Sequence, residues 1–260
     1  MMGPKRELEM ILGDGEQVFE WVNREGASPF VLVCEHASPF IPAALDGLGL
    51  DAEDLARHIA FDIGAAGTAR LLARLLDAPL LLSCVSRLVY DCNRPPEVAG
   101  AMPEVSEIFN IPGNAGLSPE MRLARTRQVY RPFNHALEEL LDERAAQARR
   151  TAVVSIHSFT RLYKGKRRAV DVGLLFDRDA WLADRLIKSF PGLNVQLNEP
   201  YGPRDGVMHL LNLHAAPRGL RHLMIEICND LIDNERNQQQ WAQRLSMPLQ
   251  QAAVKLGELK

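Results

Sequence analysis

The 260-residue chain carries 30 Lys and Arg against 33 Asp and Glu, a net charge of -3, with 47% apolar residues. That composition is ordinary for a globular protein long enough to bury a substantial core, and its charge gives no reason to expect nucleic acid or an acidic membrane as partner. A small solute is the expected ligand, and one α/β domain over residues 1–260 the expected organisation. Cys34, Cys84, Cys92 and Cys228 lie far apart, three of them in apolar runs, which suits buried thiols in a reducing compartment better than a disulfide scaffold. Residues 1–15 mix charges with apolar residues and never reach the length of a signal peptide or membrane span, so a cytoplasmic location is expected.

Along the chain, Phe30–Cys34 reads as a buried strand that ends at Glu35-His36-Ala37-Ser38-Pro39. Helical spacing then runs over residues 51–76, with Asp51 as a candidate N-cap and Asp62 on the helix. Residues 80–84 form the next strand, and Val89 and Tyr90 resume extended character before Asp91-Cys92-Asn93-Arg94-Pro95-Pro96 breaks it. Residues 97–118 hold several Pro and Gly and read as a long surface loop; its 100–116 stretch is a candidate lid. Ser118-Pro119-Glu120 opens a helix to about residue 150 with a kink at Pro132. The clearest buried strand, residues 151–156, also ends on a histidine, His157. Further strands are expected at 171–176, 194–197 and 223–227, with helices at 179–190 and 234–256. The basic run Lys164-Gly165-Lys166-Arg167-Arg168 reads as a solvated loop.

Strands alternating with helices argue for α/β layering, in which ligands gather beyond the carboxyl ends of the strands. His36 and His157 each follow a buried strand, so one sheet edge can present both imidazoles to a metal ion. The commoner reading of a strand-end histidine is a hydrogen bond to a loop. A catalytic zinc usually takes three protein ligands, and Glu35, Asp62 and Asp91 are all candidates for the third. Glu226 stands inside the apolar run Met224-Ile225-Glu226-Ile227-Cys228, where a carboxylate is costly without work or a partner; a structural ion pair to Arg218 or Arg221 is the alternative. Arg87 and the pair Asn93-Arg94 offer planar donors that suit a substrate carboxylate. The chain has no P-loop, GxGxxG or GxSxG pattern, so nucleotide binding and serine hydrolysis lose their usual support.

Five ordered blocks carry a family resemblance: Cys34-Glu35-His36-Ala37-Ser38, His58-Ile59-Ala60-Phe61-Asp62-Ile63-Gly64-Ala65, Ser86-Arg87-Leu88-Val89-Tyr90-Asp91-Cys92-Asn93-Arg94-Pro95, Ser155-Ile156-His157-Ser158-Phe159 and Ile225-Glu226-Ile227-Cys228-Asn229-Asp230-Leu231. Together, over residues 29–232, they resemble the N-formylglutamate amidohydrolase family, of the zinc carboxypeptidase and aspartoacylase group. The resemblance implies a phosphorylase/hydrolase-like three-layer α/β/α sandwich with a mixed central sheet. It implies zinc (Zn2+) held by His36 and His157, with Glu226 as general base and Arg87 polarising the scissile carbonyl. Asn93 and Arg94 would bind a small-molecule substrate through its carboxylate. The family carries an acid at the position of Asp62, which selects it as third ligand, because Pro39 stands where a His-x-x-Glu pair would need its glutamate. Many relatives have Arg where this chain has Cys228, so a contact that tunes specificity is expected to be absent. The implied reaction cuts N-formyl-L-glutamate to formate and glutamate; the alternative is a non-catalytic relative that binds an acidic ligand or a partner protein.

Overall fold

The computed structural model describes residues 10–258. Its centre is a seven-stranded mixed sheet in the order β1-β3-β2-β6-β11-β9-β10, and the strands, in chain order, are β1 (Phe19–Val22), β2 (Phe30–Cys34), β3 (Leu80–Ser83), β4 (Val105–Ser106), β5 (Phe109–Asn110), β6 (Ala152–Phe159), β7 (Leu162–Tyr163), β8 (Lys166–Arg167), β9 (Val172–Leu175), β10 (Val195–Leu197) and β11 (Arg221–Cys228). Strands β3, β2, β6 and β11 run parallel, while β1 and the β9-β10 pair lie antiparallel to their neighbours at the two sides. The small β4-β5 and β7-β8 hairpins stand outside the sheet.

Parallel strands are covered on both faces, and β2 and β6 are buried at every position. Successive side chains point to opposite faces. Phe30, Leu32, Ile156, Leu223 and Ile225 therefore pack on one side with α2 (Ala65–Leu76), α5 (Trp181–Leu186) and α7 (Glu235–Glu258), where Leu72, Leu182, Trp241 and Leu245 are buried. Val31, Val33, Leu81 and Val153 pack on the other side with α4 (Arg131–Ala146) and α6 (His209–His214), through Phe133, Leu137, Leu210 and Leu211. The result is the expected three-layer arrangement. No helix among the described residues is long and apolar enough to cross a membrane, and the four cysteines are free.

Several local expectations change. The helix expected over 51–76 is two helices, α1 (Ala52–Leu55) and α2, and Asp62 lies in the break between them. There the Asp62 amide donates to His36 O at 2.9 Å, and Gly64, with φ 79°, caps α2 in a left-handed conformation. Val89 and Tyr90 sit in a turn closed on Ser86 O rather than in an extended segment. Pro132 stands at the second position of a new helical segment. Helix α3 (Pro119–Arg125) joins α4 through a π turn at Thr126–Tyr130, which absorbs the missing donor just before the proline. The Pro- and Gly-containing loop folds around the β4-β5 hairpin, and the basic run supplies the turn and second strand of the β7-β8 hairpin, with Arg168 lying over Tyr163 (4.2 Å) and Tyr201 (4.7 Å).

Candidate functional site

The four parallel strands end at one edge of the sheet, and the loops leaving them build a cleft there. His36 follows β2. His157 lies within β6, which continues to Phe159, and its register partner in β11 is Glu226. Partners in register on parallel strands point to the same face, so the imidazole and the carboxyl group share one side of the sheet. The loop after β3 supplies Arg87, Asp91, Asn93 and Arg94, and the break before α2 supplies His58 and Asp62. All nine side chains line a cavity of about 290 Å3.

At its floor, one donor atom from each of His36, Asp62 and His157 lies within 4.8 Å of the others. These residues are 4%, 2% and 2% exposed, and Glu226 is 5% exposed. Asp62 Oδ2 is the meeting point: His157 Nδ1 is 2.8 Å away, His36 Nδ1 is 3.4 Å away and the Ser158 amide donates from 3.2 Å. The far nitrogen of each ring faces a second carboxylate. His36 Nε2 is 2.7 Å from Asp91 Oδ1. His157 Nε2 is 3.0 Å from Glu35 Oε2, close enough for charge pairing although out of line for a hydrogen bond, and Ser155 Oγ donates to the same oxygen at 2.6 Å.

This donor set fits a divalent cation. A tetrahedral zinc with bonds about 2.0 Å long holds its ligand atoms about 3.3 Å apart, close to the spacing around Asp62 Oδ2. Two histidines and one carboxylate form a donor set of the kind found in known catalytic zinc enzymes, which leave a further position to water. Carboxylates on the far ring nitrogens fix the tautomer and strengthen the ligand nitrogens. Asp91 holds the His36 ring by a hydrogen bond, Glu35 faces His157 only as a charge, and Asp62 is the carboxylate that faces both rings.

Electrostatics reinforce the geometry. Burial alone would lower the His157 pKa, yet Glu35 and Asp62 outweigh it and hold the pKa well above its usual value. Burial likewise opposes the charge of Asp62, but His36 and His157 hold its carboxyl well below the usual range. Glu226 behaves in the opposite sense: burial raises its pKa to about 7, His157 only partly offsets this, and Asp62 adds to the rise. Its Oε2 has no hydrogen-bond partner, and the proposed ion pairs are absent, because Arg218 pairs with Asp142 at 2.7 Å and Arg221 with Asp179 at 2.9 Å. His58, half-buried with its Nδ1 3.7 Å from Asp62 Oδ1, is driven by desolvation to a pKa of about 4 and stays neutral.

The arginines divide their work. Arg87 reaches Asp62 Oδ1 at 3.2 Å and Asp91 Oδ2 at 3.3 Å, which places it beside the three-residue centre. Arg94 donates to Asp205 O at 2.6 Å with its Nε 3.8 Å from Asp91. Asn93 is a strut as well as a lining residue, since its amide donates to Val207 O and its carbonyl accepts from the Leu210 amide at 2.9 Å. Cys228 is buried, and Arg161 at the end of β6 reaches Asp230 and Asp171, both at 2.8 Å, near this edge of the sheet. Sequence reasoning missed His58, Glu107 and Tyr201, which also line the cavity. Of these only His58 had a signal, one helical turn before Asp62.

No curated protein matches the chain. The structure is similar to a gene product of Agrobacterium tumefaciens, 44% identical, with TM-score 0.92 over 96% of this chain and 100% of that one. It is also similar in fold to N-formylglutamate amidohydrolase from Ralstonia eutropha, 20% identical, with TM-score 0.71 over 93% of this chain and 98% of that one. The model of the N-formylglutamate amidohydrolase family matches residues 28–233, a span that contains every side chain of the cleft floor, and the chain belongs to that family.

Proposed function

We propose that the chain hydrolyses the amide bond of an N-acyl amino acid, with N-formyl-L-glutamate giving formate and glutamate as the first substrate, and that it needs zinc held by His36, Asp62 and His157. The observation that carries this reading is the convergence of those three donors beside a buried carboxyl group, Glu226, with an unpartnered oxygen.

Zinc in this position would acidify water and polarise a carbonyl. Glu226, with its pKa pushed towards neutrality, accepts the proton of the attacking water and returns it to the departing amine nitrogen. Arg87, fixed by Asp62 and Asp91, donates to the oxygen on which negative charge grows, a contribution of about 3 kcal/mol for a well-placed donor. Arg94 receives the substrate carboxylate at the cleft wall. Four free thiols suit a cytoplasmic protein.

The test is formate release from N-formyl-L-glutamate by zinc-loaded and chelator-treated protein, with metal content measured in parallel. Stoichiometric zinc and zinc-dependent cleavage are expected. Protein that binds zinc and glutamate but releases no formate from any N-formyl amino acid would be a non-catalytic relative, and the reading would fall.

A further inference from the structure

The cleft does not end at the three-residue centre. Its 290 Å3 chamber shares Arg87, Asp91, Arg94, Ser106, Glu107 and Asp205 with a second chamber of about 650 Å3. Pockets for small molecules span about 300–1,000 Å3, so the first chamber alone suits an N-formyl amino acid and leaves the larger one unexplained by that ligand. The second chamber is lined by apolar residues, including Pro95, Val98, Pro103 and Met208, and by the polar Arg204 and Asn212, which the first chamber lacks.

Two features point to a ligand passing between the chambers. Glu107 lines both of them from the two-residue turn of the β4-β5 hairpin, where its φ of 55° is a conformation that favours glycine. A strained non-glycine residue whose side chain faces a cleft is a mark of function. Its half-buried carboxylate has no cation within 4.0 Å among the described residues, so an acceptor stands free at the throat. Arg204, which lines the second chamber and not the first, is exposed and has no carboxylate within the same distance among the described residues.

We infer that the substrate continues past its first amino acid into the second chamber, so that the favoured substrate is an N-acyl dipeptide rather than a free N-acyl amino acid. Glu107 accepts the N–H of the second residue, the apolar wall takes its side chain, and Arg204 pairs with the terminal carboxylate. The chemistry is that of the proposed hydrolysis: the acyl C–N bond breaks, water gives hydroxyl to the acyl carbon and a proton to the amine, and the free dipeptide leaves. The inference rests on that reading for the bond cleaved and on the cleft alone for the length of the ligand.

The experiment compares kcat/KM of the zinc-loaded protein for N-formyl-L-glutamate and N-formyl-L-glutamyl-L-alanine, in the parent and in Arg204→Ala and Val98→Trp, and measures L-glutamyl-L-alanine binding to chelator-treated protein by calorimetry. The dipeptide substrate should be favoured about threefold or more, the gain of one solvent-exposed charged pair. Both variants should lose that preference, keep their N-formyl-L-glutamate turnover and bind the product dipeptide more weakly. Equal turnover of the two substrates in the parent, or a preference untouched by both variants, overturns the inference. If neither substrate is cleaved while Arg204→Ala still weakens dipeptide binding, the second chamber stands as assigned and the hydrolase reading falls.

Discussion

Glu226→Gln exchanges a carboxyl group for an amide of the same shape, and its effects on stability and turnover should have opposite signs. Burial raises the Glu226 pKa from an ordinary 4.5 to about 7. Below pH 4.5 the group is protonated in both folded and unfolded chains and adds no penalty. Between 4.5 and 7 the unfolded chain gives up its proton first, so stability falls as pH rises; above 7 the loss is complete. At 1.36 kcal/mol per pH unit the full cost is about 3 kcal/mol, and glutamine does not bear it. Urea unfolding of chelator-treated protein should therefore find the variant close to the parent at pH 4.5 and more stable by up to about 3 kcal/mol at pH 8, with the same dependence on urea. Turnover of the zinc-loaded variant should fall by about 10²–10⁴, the usual contribution of a general base. A stability difference that does not change with pH would refute the burial argument, and unchanged turnover would refute the role in proton transfer.

Other positions give separate tests. Asp62→Asn removes the negative charge on which both histidines converge, and zinc content after dialysis should drop to background while the fold, followed by circular dichroism, persists. Asp91→Asn keeps all three proposed ligands but weakens the orientation of His36, and a competition titration should show zinc affinity reduced about 10–100-fold. Arg87→Met should lower kcat by about 10² with little change in KM, whereas Arg94→Met should act mainly on KM. Gly64→Ala places a Cβ 2.0 Å from Ile232 O at a φ of 79°; a loss of about 2 kcal/mol or more is expected in denaturant titration.

Much of this was legible in the chain itself because the central strands are continuous apolar runs, and His36, His157 and Glu226 interrupt or end them where polarity is costly. Asp62 could be named from the family pattern but not placed. The apolar spacing runs smoothly through residues 51–76, and the break that turns its carboxylate inward comes from long-range bonds, Asp62 to His36 O and Ser86 Oγ to Ala60 O. For the same reason Glu35 and Asp91 could not be separated from Asp62 as ligands: all three are acids beside chemistry-bearing residues, and only the direction of each carboxylate tells them apart. Strand β1 and helix α6 are four and six residues long, too short for a period to stand out. Glu107 and Tyr201 reach the cleft from loops distant in sequence and leave no local mark.

The strut made by Asn93 bears on how ligands enter. By bridging Val207 and Leu210 while Arg94 holds Asp205, the loop after β3 and the segment before α6 are tied into one unit. Two lining segments of the cleft are thus tied together before a ligand enters. Little ordering entropy is then charged to association, which leaves encounter rates governed by diffusion and by the field of the surrounding charges.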